Sequence, residues 1–186
     1  MYKRQGLYEV DFSSQDRNLR DGSKAYKEII NRPAVDFRGY KVSIGDKAPD
    51  LELNMIDGTK INLSELLGQV VVLQFTASWC SVCIQEMPHL EKEVWLPFKD
   101  QGLMLIGIDR DEPLEVVKKF KKQTGITYPL ALDPGAKHFS KFAHKNAGVT
   151  RNIVIDKKGN IAFLTRLFEK DEFEAMKQKI KSLLKE

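Results

Sequence analysis

The chain has 186 residues, 42% hydrophobic and 30% charged, with acids and bases interspersed to a net charge of +4. That length carries one domain with an extension, and a domain of this size buries a core without disulfide staples. There is no basic stripe with interleaved aromatics and no apolar run near the roughly 20 residues of a membrane span, so nucleic-acid binding and a spanning helix are set aside.

Residues 1–40 are polar and turn-rich (Ser13 to Asn18, Asp21 to Ser23), with one short helix expected from Ala25 to Ile30 before Pro33. They read as an N-terminal extension to a domain spanning 41–186. Met1 to Gln5 resembles the translated end of a transposon adapter. On that reading these five residues are artefactual and the native N-terminus, with any signal peptide or membrane anchor, is expected upstream.

From Gly45 onward the pattern tightens. Leu51 to Asn54 and Lys60 to Leu63 alternate around Asp57-Gly58 and read as a hairpin. Ser64 to Leu67 is a helical turn, and Val70 to Phe75 a buried strand. Ser81 to about Lys99 is helical, kinked at Pro88. Leu103 to Ile108 is a second buried strand, and Asp109 to Glu112 a solvated loop at its end. Pro113 to Gln123 is an amphipathic helix with Pro113 in its first turn and Leu114, Val117 and Phe120 inward. Tyr128 to Leu132 is a short strand, and Ala136 to His144 a short helix with His138 and His144 on its surface. Asn152 to Ile155 and Ile161 to Leu164 form a second hairpin around Asp156 to Gly159. Asp171 to Leu184 closes the chain as an amphipathic helix with Phe173, Met176, Ile180 and Leu183 inward. This order predicts an α/β fold, a mixed central sheet flanked by helices, with right-handed parallel crossovers.

The two cysteines of the chain, Cys80 and Cys83, follow the first buried strand and open a helix. A thiol in the first turn lies at the positive end of the helix dipole, which favours the thiolate. A second thiol one turn on can close a disulfide with it, and a CxxC pair after a strand is a redox signature. Zinc wants four ligands, yet there is no second cysteine pair and the three histidines (His89, His138, His144) are scattered. Neither a metal nor an organic cofactor is expected.

Four strings carry a family resemblance: Gly45 to Asp50, Trp79 to Cys83 with Glu86 and Pro88 behind it, Ile106 to Asp109, and Ile155 to Gly159. Over roughly Gly45 to Leu184 the chain resembles the thioredoxin-like superfamily, and within it the TlpA/ResA group of thiol-disulfide oxidoreductases, near the AhpC/TSA-redoxin group. The resemblance implies a thioredoxin fold with an N-terminal β-hairpin and an inserted βα element. It implies dithiol–disulfide exchange with a disulfide-bearing partner protein, recharged by an upstream thiol donor. A bacterial periplasmic or cell-envelope location is implied, with the cytoplasm as the alternative. Cys80 would be the nucleophile and Cys83 the resolving thiol, with Glu86 taking a proton from Cys83 or raising a cysteine pKa by like-charge repulsion, and water as the other proton carrier. Trp79, Ser81, Val82, Val149 and Thr150 would form the docking surface. Ser81 and Val82 put no positive charge beside Cys80, which points to a moderately lowered thiol pKa and a reducing or middling potential.

Two positions place the chain within the superfamily. Gln74 stands six residues before Cys80, where thioredoxin itself carries a buried aspartate; an amide there matches the TlpA/ResA group. Thr150 stands where the family has a cis-proline. A non-proline cis bond costs roughly 2.5–4 kcal/mol, so Thr150 is expected to be trans with its hydroxyl facing Cys80. Three rival readings stay open. One is a thiol peroxidase, which Arg151 and Thr76 suggest; each is one position out of register, and one position along a strand changes the face. The others are a copper-binding chaperone and a redox-inert interaction module.

Overall fold

The computed structural model describes residues 39–186. The helix expected at Ala25 to Ile30, and all of the expected extension but its last two residues, lie outside the described residues.

β1 (Glu52–Met55) buries Leu53 and Met55 and exposes Glu52 and Asn54; β2 (Lys60–Asn62) returns antiparallel to it. Gly58, at φ 91°, takes the left-handed conformation this turn needs. A 3-10 turn (Leu63–Leu66) leads into β3 (Val70–Thr76), buried at every position. Val71, Leu73 and Phe75 feed one core cluster, and Val70 and Val72 the other. The apolar run from Val70 to Phe75, broken only by Gln74, suits a strand covered on both faces.

β3 pairs in parallel with β4 (Leu103–Arg110) and antiparallel with β6 (Arg151–Ile155). β5 (Leu130–Asp133) lies parallel to β4 and antiparallel to β1, and β7 (Ile161–Arg166) pairs antiparallel with β6. The sheet order is β2-β1-β5-β4-β3-β6-β7, the expected mixed sheet with its N-terminal hairpin at one edge. α1 (Ser81–His89), α2 (Leu114–Thr124) and α4 (Lys170–Lys185) fill the second cluster through Met87, Val117, Phe120, Phe173, Met176, Ile180 and Leu183. α3 (Phe139–Phe142) fills the first with both its phenylalanines. Those two rings pack against Phe75 at centroid distances of 5.3 and 5.7 Å. α2 and β5 stand between β4 and α3.

Several boundaries differ from the sequence expectation, each for a local reason. The long helix is regular only to His89 and continues as a π-helical segment (Leu90–Trp95), a further turn (Leu96–Phe98) and a 3-10 turn (Lys99–Gln101). Pro88 lacks an N–H, and the amide of Leu90 is shared between the carbonyls of Glu86 and Met87. Pro113 lies just before α2 rather than in its first turn, in extended conformation. β5 begins at Leu130, after Pro129, rather than at Tyr128. The helix expected from Ala136 to His144 shrinks to α3, because Gly135 and Ala136 both take positive φ and Ala143 is already extended. Ala143 bridges Tyr40, which is buried in the first cluster and donates its hydroxyl to the Thr165 carbonyl.

The largest correction concerns Asp109 to Glu112. β4 runs on through Arg110, and Asp109 is wholly buried rather than solvated. Arg110 covers the Phe139 ring at 4.3 Å and donates to the carbonyls of Lys145 and Ala147. Asp111 accepts from the Gly135 amide, and Glu112 from Ser78. The segment ties three loops together.

Candidate active site

Cys80 caps the N-terminus of α1 and is partly buried; Cys83, one turn on, is fully buried. The two are joined as a disulfide, with Cα atoms 5.3 Å apart. The Cys83 amide donates to Cys80 Sγ at 3.2 Å, so the helix terminus offers Cys80 a backbone donor as well as its dipole. Trp79, beside Cys80, is 65% exposed, and Ser81 is exposed as well. Val82 is partly buried.

Thr150 ends the loop before β6, next to Val149, and both are buried. Its Oγ1 lies 3.1 Å from Cys80 Sγ and 3.2 Å from Cys83 Sγ. Among the described residues no peptide bond is cis, so Thr150 is trans. Its carbonyl accepts from the Leu167 amide at 3.1 Å. Leu167 has a left-handed φ of 64° and is exposed, adding an apolar side chain to the rim. The loop ahead of Thr150 is fixed by Arg110, as above, and by Arg151, whose Nε donates to the Gly148 carbonyl at 2.9 Å. Arg151 itself is buried, its guanidinium 4.4 Å from the Tyr40 ring centroid.

Glu86 follows Cys83 by three residues on α1 and is sealed from solvent rather than lying on the helix surface. Its Oε1 accepts from Asn152 Nδ2 at 2.6 Å and its Oε2 from Gln74 Nε2 at 3.2 Å. Burial outweighs both hydrogen bonds and pushes the carboxyl up to about 7. The Gln74 carbonyl accepts the Tyr128 hydroxyl at 2.7 Å, and burial holds that phenol neutral. Gly107 of β4 leaves room for this arrangement: a Cβ there would run into Leu130 Cδ2 and stand 3.7 Å from Gln74 Oε1.

A second acid lies under the loop before the cysteines. Both Glu112 oxygens accept from Ser78, one from its amide and one from its hydroxyl, each at 2.6 Å. Burial, followed by the Glu112 and Asp133 carboxylates, pushes Asp109 up to about 8. As a carboxylate Asp109 has no hydrogen-bond partner among the described residues. As an acid it can donate to Glu112.

The structure thus brings Cys80, Cys83 and Thr150 together and places Glu86 one turn below. Sequence reasoning missed Asn152 and Tyr128, which meet Glu86 and Gln74 only through strand register and the lead into β5. It also missed Asp109 and Arg110. His138 is partly buried, and that burial lowers its pKa; His89 and His144 are exposed. Among the described residues no group of three or more His, Cys, Asp or Glu is placed to hold a metal ion. An apolar cavity of about 220 Å³, lined by Leu63, Leu66, Leu67, Val71 and Ile155, lies near the start of β3, whereas Cys80 follows its end.

The chain matches the AhpC/TSA family over residues 44–164. It is 33% identical over 141 residues to the thiol-disulfide oxidoreductase ResA of Bacillus thuringiensis, covering 72% of this chain and 80% of that one. The corresponding ResA of Geobacillus kaustophilus is 30% identical over 142 residues, covering 75% and 79%. Among solved structures, a protein of Bacteroides thetaiotaomicron assigned as a protein disulfide isomerase shares 56% identity at TM-score 0.77, covering 80% of this chain and 94% of that one. A Chlorobium tepidum protein assigned as thiol:disulfide interchange protein DsbE shares 28% identity at TM-score 0.69, covering 77% and 99%.

Proposed function

Because the chain belongs to the AhpC/TSA family and is a TlpA/ResA-like thiol-disulfide oxidoreductase, we propose that its Cys80–Cys83 couple reduces disulfides in partner proteins. The observation that carries this reading is the disulfide itself, closed between a partly exposed cysteine at a helix N-terminus and a fully buried one behind it. In the reduced protein the Cys80 thiolate is favoured by the α1 dipole, the Cys83 amide and a hydrogen bond donated by Thr150. It attacks a partner disulfide, forming a mixed disulfide and releasing one partner thiolate. Cys83 gives its proton to Glu86, attacks Cys80 Sγ and releases the second thiolate. Two electrons pass to the partner, and an upstream thiol donor reduces the couple again.

Docking falls to the residues around the couple, of which Trp79 and Ser81 are exposed and Val149 and Thr150 buried. Trp79, Ser81 and Val82 flank the nucleophile, while Val149 and Thr150 present the opposite wall. We take residues 41–186 as the thioredoxin-like domain and 1–40 as its extension, a division supported by the start of the family match at residue 44. The ResA and DsbE relatives support a bacterial periplasmic or cell-envelope location. Among the described residues no helix is long and apolar enough to cross a membrane.

A redox titration of Cys80–Cys83 against glutathione and dithiothreitol, paired with insulin-disulfide reduction, tests the reading. Turnover lost on alkylation of Cys80, with a potential below that of glutathione, is expected. Peroxide consumption far faster than by free cysteine, without insulin reduction, would replace it with a peroxidase.

A further inference from the structure

Asn152 of β6 pairs with Gln74 of β3, and both side-chain amides meet Glu86 of α1. The two amides are not equivalent. Gln74 is held at both ends: Nε2 donates to Glu86, and Oε1 accepts the buried Tyr128 hydroxyl. Turning it would strand the Tyr128 proton. Asn152 is held at one end only. Its Nδ2 serves Glu86 Oε1 and Thr165 Oγ1, at 2.6 and 2.9 Å, while its Oδ1 is buried with no hydrogen-bond partner among the described residues.

A buried, idle carbonyl costs free energy. It becomes intelligible once Glu86 has two protonation states. As a carboxylate, Glu86 wants two donors and has them. As an acid, it becomes a donor and needs an acceptor. A half-turn of the Asn152 amide places Oδ1 between the Glu86 and Thr165 hydroxyls, both of which can donate to it.

We propose that Asn152 is the positioning residue that follows the Glu86 proton, donating to the carboxylate and turning to accept from the acid, while Tyr128 locks Gln74 as a fixed donor. The inference rests on Glu86 receiving the Cys83 proton. In that step the Cys83 S–H bond breaks and a Glu86 O–H bond forms. The Cys83 thiolate then forms the Cys83–Cys80 bond as the mixed disulfide breaks and the partner thiolate leaves. Glu86 afterwards returns its proton to water. The amide turn gives Glu86 Oε1 a partner of the right kind in either charge state, and the unpaired end of Asn152 is Oδ1 beside the carboxylate and Nδ2 beside the acid.

The test is an NMR titration of the full-length oxidised protein through the neutral range, following the Glu86 carboxyl carbon and the side-chain amides of Asn152 and Gln74. The Asn152 amide is expected to move with the Glu86 midpoint while the Gln74 amide keeps its orientation. In Glu86→Gln the Asn152 transition vanishes. In Tyr128→Phe the freed Gln74 becomes a second acceptor, and the Glu86 midpoint rises by about half a pH unit. An Asn152 amide that stays flat through the Glu86 titration overturns the proposal, and an unmoved midpoint in Tyr128→Phe overturns the lock. Failure of the underlying reading looks different: Glu86→Gln would turn over disulfides with the wild-type pH profile, while Asn152 in the wild type still followed Glu86.

Discussion

The hydroxyl of Thr150 lies 3.1 Å from Sγ of Cys80, at the position where the TlpA/ResA resemblance leads to the expectation of a cis-proline. A prolyl ring would offer no hydrogen there, whereas Thr150 can donate to whichever sulfur carries negative charge. Thr150→Val keeps the shape and deletes the donor. The Cys80 thiol pKa is expected to rise by about one pH unit, and Thr150→Ser to restore it. The pH dependence of iodoacetamide alkylation reads both.

The difference in burial between the two cysteines predicts opposite trapping behaviour. Cys83→Ser keeps the nucleophile and removes the resolving thiol, so a mixed disulfide with substrate accumulates through Cys80. Cys80→Ser abolishes attack and accumulates nothing. Intact mass spectrometry after mixing with oxidised insulin separates the two. An adduct in Cys80→Ser would reverse the assignment.

Burial of Glu86 makes the oxidised protein less stable as pH rises. An acid whose folded pKa lies above its unfolded value costs nothing at low pH and its full penalty above the folded pKa. With Glu86 raised from 4.5 to about 7, that loss falls between those two values and reaches about 3 kcal/mol. Asp109, raised to about 8, extends the decline in the same direction. Urea midpoints of the oxidised protein across this range are expected to fall. Glu86→Gln should roughly halve the slope between pH 4.5 and about 7, whereas Asp109→Asn should lower it from pH 3.8 to about 8 and remove the part above about 7.

Gly107 sits against Leu130 and close to Gln74 Oε1. Gly107→Ala forces a Cβ into the Leu130 side chain and is expected to cost about 1–3 kcal/mol. The displaced Leu130 lies two residues from Tyr128, so the Tyr128–Gln74 hydrogen bond should loosen too. Equilibrium unfolding measures the first effect, and the Gln74 side-chain amide signal the second.

What could be read from the sequence follows the reach of each signal. The CxxC pair, Glu86 and the strands up to Phe75 stand in local patterns of spacing and apolar alternation, and the structure places them as those patterns imply. Thr150 was legible through its offset from Asp156. Asn152 and Tyr128 were not, because strand register and the packing of the sheet, not nearby residues, bring them to Gln74 and Glu86. Asp109 was misread because four charged residues in a row look solvated. Its place on β4, opposite Thr76 of β3 and Leu132 of β5, takes it into the interior.

On the face of β3 that begins with Val70 and Val72, Gln74 interrupts the apolar sequence near the end of the strand that leads to Cys80. The partners of Gln74 come from α1, from the lead into β5 and from β6, all rigid neighbours in the core. The outward features, Trp79 and the Leu167 turn, sit on surface segments. The outermost features can therefore be exchanged apart from the groups that touch the sulfurs. Grafting only a relative's counterparts of Trp79 and the Leu167 turn, with Ser81, Val82 and Thr150 kept, should change which proteins are served while leaving the potential of the couple where it is.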